Sequence, residues 1–515
     1  MKFVKYALAF LTAASLTSCG DDFLNEYDKQ YANSDQIHEE TEKNPDKALT
    51  PYVRGLYQDW NFCSALGGLE NIWGHTEIGF YSINMLSDAM SNDISFATND
   101  QYGLDRTLSY WAEQYIRSRQ FWTFFYTVIN DANTIISMVT DEQLDDPNAD
   151  ATLKASVGQA LALRGISYAY LAQVYQKTYV GHEDEPGVPI LLTDAEAAEA
   201  TQSRAPLRKV YARAEKDLLR AIDLLDGWTR ESVNEVDKQV AQGLLSRVYL
   251  VMNRWQDAAQ MAHDARQGYQ LMTPEQAGTY GYNDVTNQEV MWGIETTADN
   301  TRMFASFASW MCTGEVGYGG QVGMFRKIDQ ALYNNLQQGD ARLNLYVPQG
   351  QTLTMEGGGS SWVLPELANI KFKAVSGWME DVLYMRVAEM YLTEAEAYAH
   401  MNDGRAASVL AEFMAQRNPN WQAPSMITPT VIYTQRRLEL WGEGFGYWDC
   451  RRLKQDLVRS YEGSNEYEGY QGADVPADGG AMVGGNWCQW TFQIPLSEIQ
   501  NNDSIPASAQ NPIDM

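Results

Sequence analysis

The sequence predicts a mostly α-helical protein in which tetratricopeptide-like helix pairs form a scaffold, with long irregular aromatic-rich loops between them and little β-structure. Three observations predict this. Apolar residues recur at three-to-four spacing in several segments, which places them on one face of a helix. Small Ala positions sit beside large aromatics at those intervals, as close helix pairing requires. Stretches rich in Gly, Asn, Asp, Trp and Tyr, with no helical period, separate the periodic segments.

The elements follow in chain order. Met1–Ser18 has the form of a secretory signal, with Lys2 and Lys5 ahead of the apolar run Ala7–Leu16. That run is far short of the ~20 residues a bilayer span needs. Leu16-Thr17-Ser18-Cys19 resembles the lipobox of bacterial lipoproteins, which implies cleavage before Cys19 and acylation of its thiol and new amino group. Several buried acyl chains at ~0.8 kcal/mol per CH₂ would anchor the chain durably. Residues 19–47 then read as a polar, lipid-anchored flexible tether.

A helix is expected over 152–178, with Leu161, Tyr168, Leu171 and Tyr175 on one face. Leu207, Tyr211, Ala214, Leu218, Ala221 and Leu225 mark the next helix. Two helical hairpins follow, 240–252 with 255–266 and 382–400 with 403–416, turning at Asn253-Arg254 and Asn402-Asp403-Gly404. Such pairs bury a face only by stacking on neighbours. The aperiodic stretches are 91–106, 268–320, 343–380 and 461–492. Loops of this length in a compact protein are usually functional or disordered, and their aromatic content favours ordered function. A short hairpin is expected near Val347–Leu353.

Composition narrows the function. There are 38 Lys and Arg against 67 Asp and Glu, a net charge of −29. Such a balance argues against a phosphate-reading surface and against adsorption to anionic lipid. GxSxG, P-loop, HExxH and GxGxxG patterns are missing, and the five His are scattered. Carboxylate pairs for glycoside hydrolysis depend on a separation that sequence does not carry. No enzymatic activity, cofactor or metal site is therefore expected. Cys63, Cys312, Cys450 and Cys488 are irregularly spaced and read as buried free thiols.

Several motifs then resemble the SusD/RagB family of outer-membrane lipoproteins. The lipobox with Asp21-Asp22-Phe23-Leu24-Asn25 resembles the family's start, and an acidic run after the lipid Cys resembles a surface-export signal. Ala160 to Tyr175, with Arg164, running on to Gly187-Val188-Pro189, resembles its arginine helix and exit. Ser203-Arg204, with Val210-Tyr211 and Asp217-Leu218, is similar to the next family segment. Tyr384 to Glu396, with Arg386 and Glu389, resembles its Arg-x-Ala-Glu helix. Arg436-Arg437-Leu438-Glu439 through Glu443-Gly444 to Trp448-Asp449-Cys450-Arg451-Arg452 resembles its C-terminal block, and Ile494-Pro495 and Gln510-Asn511-Pro512 its end. Gln435 and Cys450 stand where the family usually has Glu and Leu. The charged positions of these motifs, Arg386, Glu389, Arg436, Arg437, Glu439, Glu443, Asp449, Arg451 and Arg452, read as a partly buried ion network rather than as catalytic groups. Asp340-Ala341-Arg342 reads as a helix-end clamp.

The resemblance implies one domain over 48–515, with a tetratricopeptide-rich part at about 48–268 and a SusD/RagB part at about 269–515. It implies a cell-surface, lipid-anchored receptor on the outer membrane, which captures a glycan and delivers it to a SusC-like TonB-dependent transporter. Nucleic acid is not an expected partner. Sugar rings stack on rigid aromatics, and nearby polar groups orient their hydroxyls. The expected ligand contacts are Phe96 and Tyr102, Trp310 and Tyr318, then Trp73 and Trp362, with Asn92, Asp93 and Arg302 as polar partners. Peptide capture by the same architecture and a ligand-free assembly scaffold are the alternatives.

Overall fold

The computed structural model describes residues 43–63, 76–279, 281–302, 305–311, 317–357, 360–372, 377–477 and 479–513. Cys19, Trp73 and Cys312 lie outside the described residues, as do the signal segment and most of the expected tether. The first long helix, α1, is Pro45–Phe62, so regular structure begins within the segment read as tether.

The helices that follow are α2 (Gly79–Ala89), α3 (Ile116–Ser137), α4 (Ala151–Tyr175), α5 (Leu207–Leu224), α6 (Lys238–Val251) and α7 (Trp255–Ala265). After a long excursion come α8 (Val387–His400), α9 (Arg405–Ala415), α10 (Pro429–Glu439) and α11 (Gly446–Arg452). From α3 to α9 each helix packs on the next, including α7 on α8, although residues 266–386 separate those two in sequence. The excursion leaves a continuous helical stack and returns to it. The mostly α, paired-helix architecture expected from periodicity is the one observed.

Local chemistry explains the boundaries. Asp150 caps α4, its Oδ1 accepting from Thr152 N at 2.7 Å, and Asp237 caps α6 through Val240 N at 2.9 Å. Asn253 and Asn402 close the two helical hairpins in the left-handed region, each with φ 55. Asn tolerates that conformation better than most side chains. Helix α4 is buried continuously from Ala155 to Tyr175, as befits the central helix of the stack. Its Gly165 lets α5 approach closely: a Cβ there would lie 2.9 Å from Ala214 O. Ala258, Ala259, Ala262 and Ala265 of α7 are likewise fully buried, so this helix is applied to its neighbours along a ridge of methyl groups.

Among the described residues, eight short strands form four antiparallel ribbons. They are β1 (Ile94–Phe96) with β3 (Arg326–Ile328), and β2 (Val290–Ile294) with β6 (Val382–Arg386). The others are β4 (Leu353–Gly357) with β5 (Ser360–Leu364), and β7 (Ala481–Val483) with β8 (Asn486–Cys488). Two expectations are corrected here. Residues 382–386, read as the first turn of a helix, form β6, because Val290–Ile294 offers a fully buried partner strand and tertiary pairing overrides local period. The hairpin expected near Val347–Leu353 lies further on, with Leu353 pairing to Leu364, since Pro348 and Gly350 make a turn that only leads into it.

The charged family positions form separate buried clusters rather than one network. Arg386 is held by Glu289, Glu439 at 3.1 Å and Glu443 at 2.7 Å. Arg417 joins Glu289 (2.7 Å) to Glu439 (2.9 Å), and Lys371 lies 2.6 Å from Glu443. Arg342, clamped by Asp340 at 2.8 Å, completes this cluster. Burial alone would raise the Glu439 carboxyl, but Arg417 and Arg386 outweigh it and hold it far below the carboxylate range. A second cluster joins Arg436 and Arg452 to Asp449, and Arg452 to Glu396. Glu389 pairs instead with Arg247, Arg437 with Asp93, and Arg451 donates to the Gln176 carbonyl. Cys63, Cys450 and Cys488 are free, the last two buried.

Candidate ligand-binding cleft

Two of the aperiodic stretches recognised in the sequence meet in space. The loop after β1 and the loop between α11 and β8 are riveted together by buried polar contacts. Arg106 pairs with Glu466, whose Oε1 also accepts from Phe96 N at 3.0 Å. Ser95 Oγ donates to Asn465 Oδ1 at 3.0 Å. Asp100 N donates to Tyr470 Oη at 2.9 Å, and that hydroxyl donates to Asn99 Oδ1 at 2.8 Å. Burial pushes the Tyr470 phenol up to about 12, so it keeps its proton and its donor role at neutral pH. Burial opposes ionisation of Glu466 as well, but Arg106 and Arg459 hold it charged.

Between the two loops lies an open cleft of about 440 Å³. One wall carries Asn99, Gln101, Leu104 and Tyr110; the other carries Gln471 and Asn486. Tyr110 pairs with Tyr115 at a ring separation of 5.3 Å, and Tyr115 is 39% exposed. Asp100, the one carboxylate in the lining, is engaged by Arg326. The cleft thus offers amides, hydroxyls and the Tyr110 ring, with Tyr115 beside that ring, and little net charge. Among the described residues no group of three or more His, Cys, Asp or Glu is arranged to hold a metal ion.

The structure places the residues expected from sequence as follows. Phe96, Tyr102 and Trp310 are buried, at 0%, 1% and 3% exposure. They surround the Arg326 guanidinium, whose carbon lies 4.2, 5.3 and 5.8 Å from their ring centres. They form the support behind the loop, packed around this guanidinium rather than lining the cleft. Tyr318 is half-buried, edge-on to Trp310 at 5.8 Å. Trp362 is half-buried on β5, over a small separate core of Phe325, Val347, Leu364 and Ala368. Asn92 is spent on chain connection, its Nδ2 donating to Asp456 O at 2.7 Å and its Oδ1 accepting from Val458 N at 2.9 Å. Asp93 is buried in its pair with Arg437 at 2.6 Å. Arg302 is exposed, 4.9 Å over the Phe62 ring.

The loop singled out in the sequence borders the cleft, while Phe96 and Tyr102 within it are buried. Ile94 and Phe96 alternate as a buried strand does, which is a core signal. Tyr110 and Tyr115 lie just beyond the 91–106 window, in the aperiodic run before α3. Both would have entered the candidate set had that loop been extended to the start of the next helix.

Comparison with known proteins adds the family. Residues 68–250 match the family described as "Starch-binding associating with outer membrane", and residues 368–513 match the SusD family. No curated protein matches the sequence. Among solved structures, a SusD-like carbohydrate binding protein from Bacteroides vulgatus ATCC 8482 is 23% identical, with a TM-score of 0.69 over 90% of this chain and 98% of that one. A laminarin-binding SusD-like protein is 20% identical, with a TM-score of 0.59 over 90% and 99%. Surface glycan-binding protein A from Bacteroides uniformis is 18% identical, with a TM-score of 0.62 over 90% and 99%. The two family matches fall on the two halves of the helical stack, on either side of the excursion, and the fold is shared along nearly the whole chain; the protein belongs to the SusD/RagB family.

Proposed function

We propose that this protein is a lipid-anchored receptor on the outer face of the outer membrane that captures a glycan and passes it to a SusC-like TonB-dependent transporter. The observation that carries the binding reading is the cleft between the 97–110 and 459–488 loops, where Tyr110, backed by the neighbouring Tyr115 ring, stands among Asn99, Gln101, Gln471 and Asn486. Tyrosine rings match the apolar C–H faces of pyranose rings, and side-chain amides can donate to one hydroxyl while accepting from another. The rivets behind the cleft hold these groups in place before the ligand arrives, which lowers the ordering cost of binding. The proposed role is binding rather than catalysis, which the lining of amides and hydroxyls with its one carboxylate held by Arg326 supports. The structural relatives, a laminarin-binding SusD-like protein and a surface glycan-binding protein among them, support the same reading. Anchoring through Cys19 and partnership with a transporter rest on the lipobox resemblance and on family membership.

The test is affinity electrophoresis of the purified protein in native gels containing a panel of polysaccharides. Retardation by one glycan, strongly weakened in Tyr110→Ala/Tyr115→Ala, is the expected result. Retardation unchanged by this double substitution keeps the glycan and discards the cleft. No retardation across the panel replaces glycan by peptide as cargo. Mass spectrometry of the mature N-terminus tests acylation of Cys19, and co-purification from outer membranes tests the transporter.

A further inference from the structure

The helical stack carries a second pair of depressions, and both are lined by one tryptophan. The first, about 730 Å³, lies between α1, the start of α4 and the α5–α6 connection; Arg54, Gln58, Gln159, Asn234 and Trp228 line it. The second, about 470 Å³, is lined by Trp228 with Gln239, Gln242 and Gln267. Neither shares a lining residue with the loop cleft.

The segment that presents Trp228 is held in one shape. The Glu235 carboxylate accepts from Glu231 N at 2.9 Å and Ser232 N at 3.1 Å. Val236 N donates to Tyr57 Oη at 2.7 Å, Arg230 Nη1 to Glu235 O at 3.0 Å, and Trp292 Nε1 to Asn234 O at 2.9 Å. These bonds fix the backbone around Trp228 without using its indole. The ring is half-buried against the core and lines both depressions, the first with Gln58 and Gln159 beside Glu231, Glu235 and Glu295, the second with Gln239 and Gln242 beside Asp237, Lys238 and Asp264. A rigid aromatic flanked by amides on both sides is the same chemistry as the loop cleft, built on a different element.

From this arrangement we infer that the Trp228 groove is a second binding site for a neutral, hydroxyl-rich chain; the inference rests on the glycan reading of the loop cleft. Two sites on one receptor raise the effective affinity for a long polymer more than for a short oligosaccharide, because the second contact is made at high local concentration. Capture of polymers and retention of short fragments then respond to different substitutions.

Affinity electrophoresis in a graded series of the neutral polysaccharide that retards the wild type tests this. Trp228→Ala is expected to weaken retardation about three- to tenfold. Trp228→Phe should keep most of it, and Tyr110→Ala/Tyr115→Ala should keep a residue of retardation that Trp228→Ala then abolishes. Gln58→Arg fills the groove from an exposed position, and reads the site even where Trp228→Ala fails to fold. Wild-type retardation in both Trp228→Ala and Gln58→Arg overturns the second site and leaves the loop cleft standing, as does complete loss in the tyrosine variant alone. A wild type unretarded by every neutral polysaccharide overturns both.

Discussion

Arg326 and Asp100, 226 residues apart in sequence, form a buried ion pair behind the cleft, with Arg326 Nη2 3.1 Å from Asp100 Oδ1. The same carboxylate accepts from Tyr102 N at 2.9 Å. Arg326→Met leaves that charge buried without its partner, which costs about 3–5 kcal/mol. Thermal denaturation should show the loss, and glycan retardation should weaken with it. Adding Asp100→Asn should recover part of the stability; no recovery would assign the effect to packing against Phe96 rather than to charge.

Tyr110→Ala and Tyr115→Ala act on the rim, where little of the core depends on them. Each should lower glycan affinity about two- to tenfold, the range for an aromatic contact. The melting temperature should stay close to wild type. A large fall in stability without loss of binding would contradict the placement of the ligand between these loops.

Glu439→Gln removes one carboxylate from a cluster in which Arg342, Arg386, Arg417 and Lys371 face Asp340, Glu289, Glu439 and Glu443. The cations then outnumber the anions among buried side chains. A loss of about 3–5 kcal/mol is expected by chemical denaturation. A variant as stable as wild type would mean that the cluster is hydrated.

Asp131 gives a pH test. Burial first, then the neighbouring Asp59, raises its carboxyl from 3.8 to about 7 in the folded protein. A raised folded value means that the proton stabilises the fold: the contribution is complete below pH 3.8 and is lost as pH rises through about 7. Asp131→Asn should therefore raise the melting temperature at pH 8 by about a degree or two and leave it unchanged at pH 4. An equal shift at both pH values would exclude proton sharing with Asp59.

Glu196 gives the opposite sign. Burial works against its ionisation, but Arg164 and Arg213 prevail and bring its carboxyl down from 4.5 to about 2. Its contribution is present above pH 4.5 and lost as pH falls through about 2. Glu196→Gln should flatten the acid limb of the stability curve in that window and lower stability at pH 7. A variant whose acid limb matches wild type would place the acid sensitivity elsewhere.

How much of this was legible in the sequence depends on the range of the interaction. Helices α4 to α7 were read to within about three residues, because their signal is local: apolar spacing, an Asp cap, and an Asn at each hairpin turn. Strand β6 was missed because its partner, Val290–Ile294, lies far upstream, and a short buried run reads equally well as helix or strand. Lys371, Arg417 and Glu289 were missed for the same reason, since nothing near them in the chain announces the partners they meet. Phe96 and Tyr102 show the limit at the site. Their loop was recognisable by composition, but only the path of the chain decides which aromatics turn outward, and Arg326 draws these two inward.

The 360-residue separation of Arg106 and Glu466 has a consequence for biogenesis. The helical hairpins close over a few residues and can form while the chain is still emerging, whereas the cleft has no second wall until residues 459–488 have been made. A polypeptide truncated before that point keeps most of its helix content and lacks the loop cleft. The time between synthesis and a complete cleft is then set by the search of the last ninth of the chain for a loop near the beginning, so nascent protein passes through a helical stage that lacks the cleft.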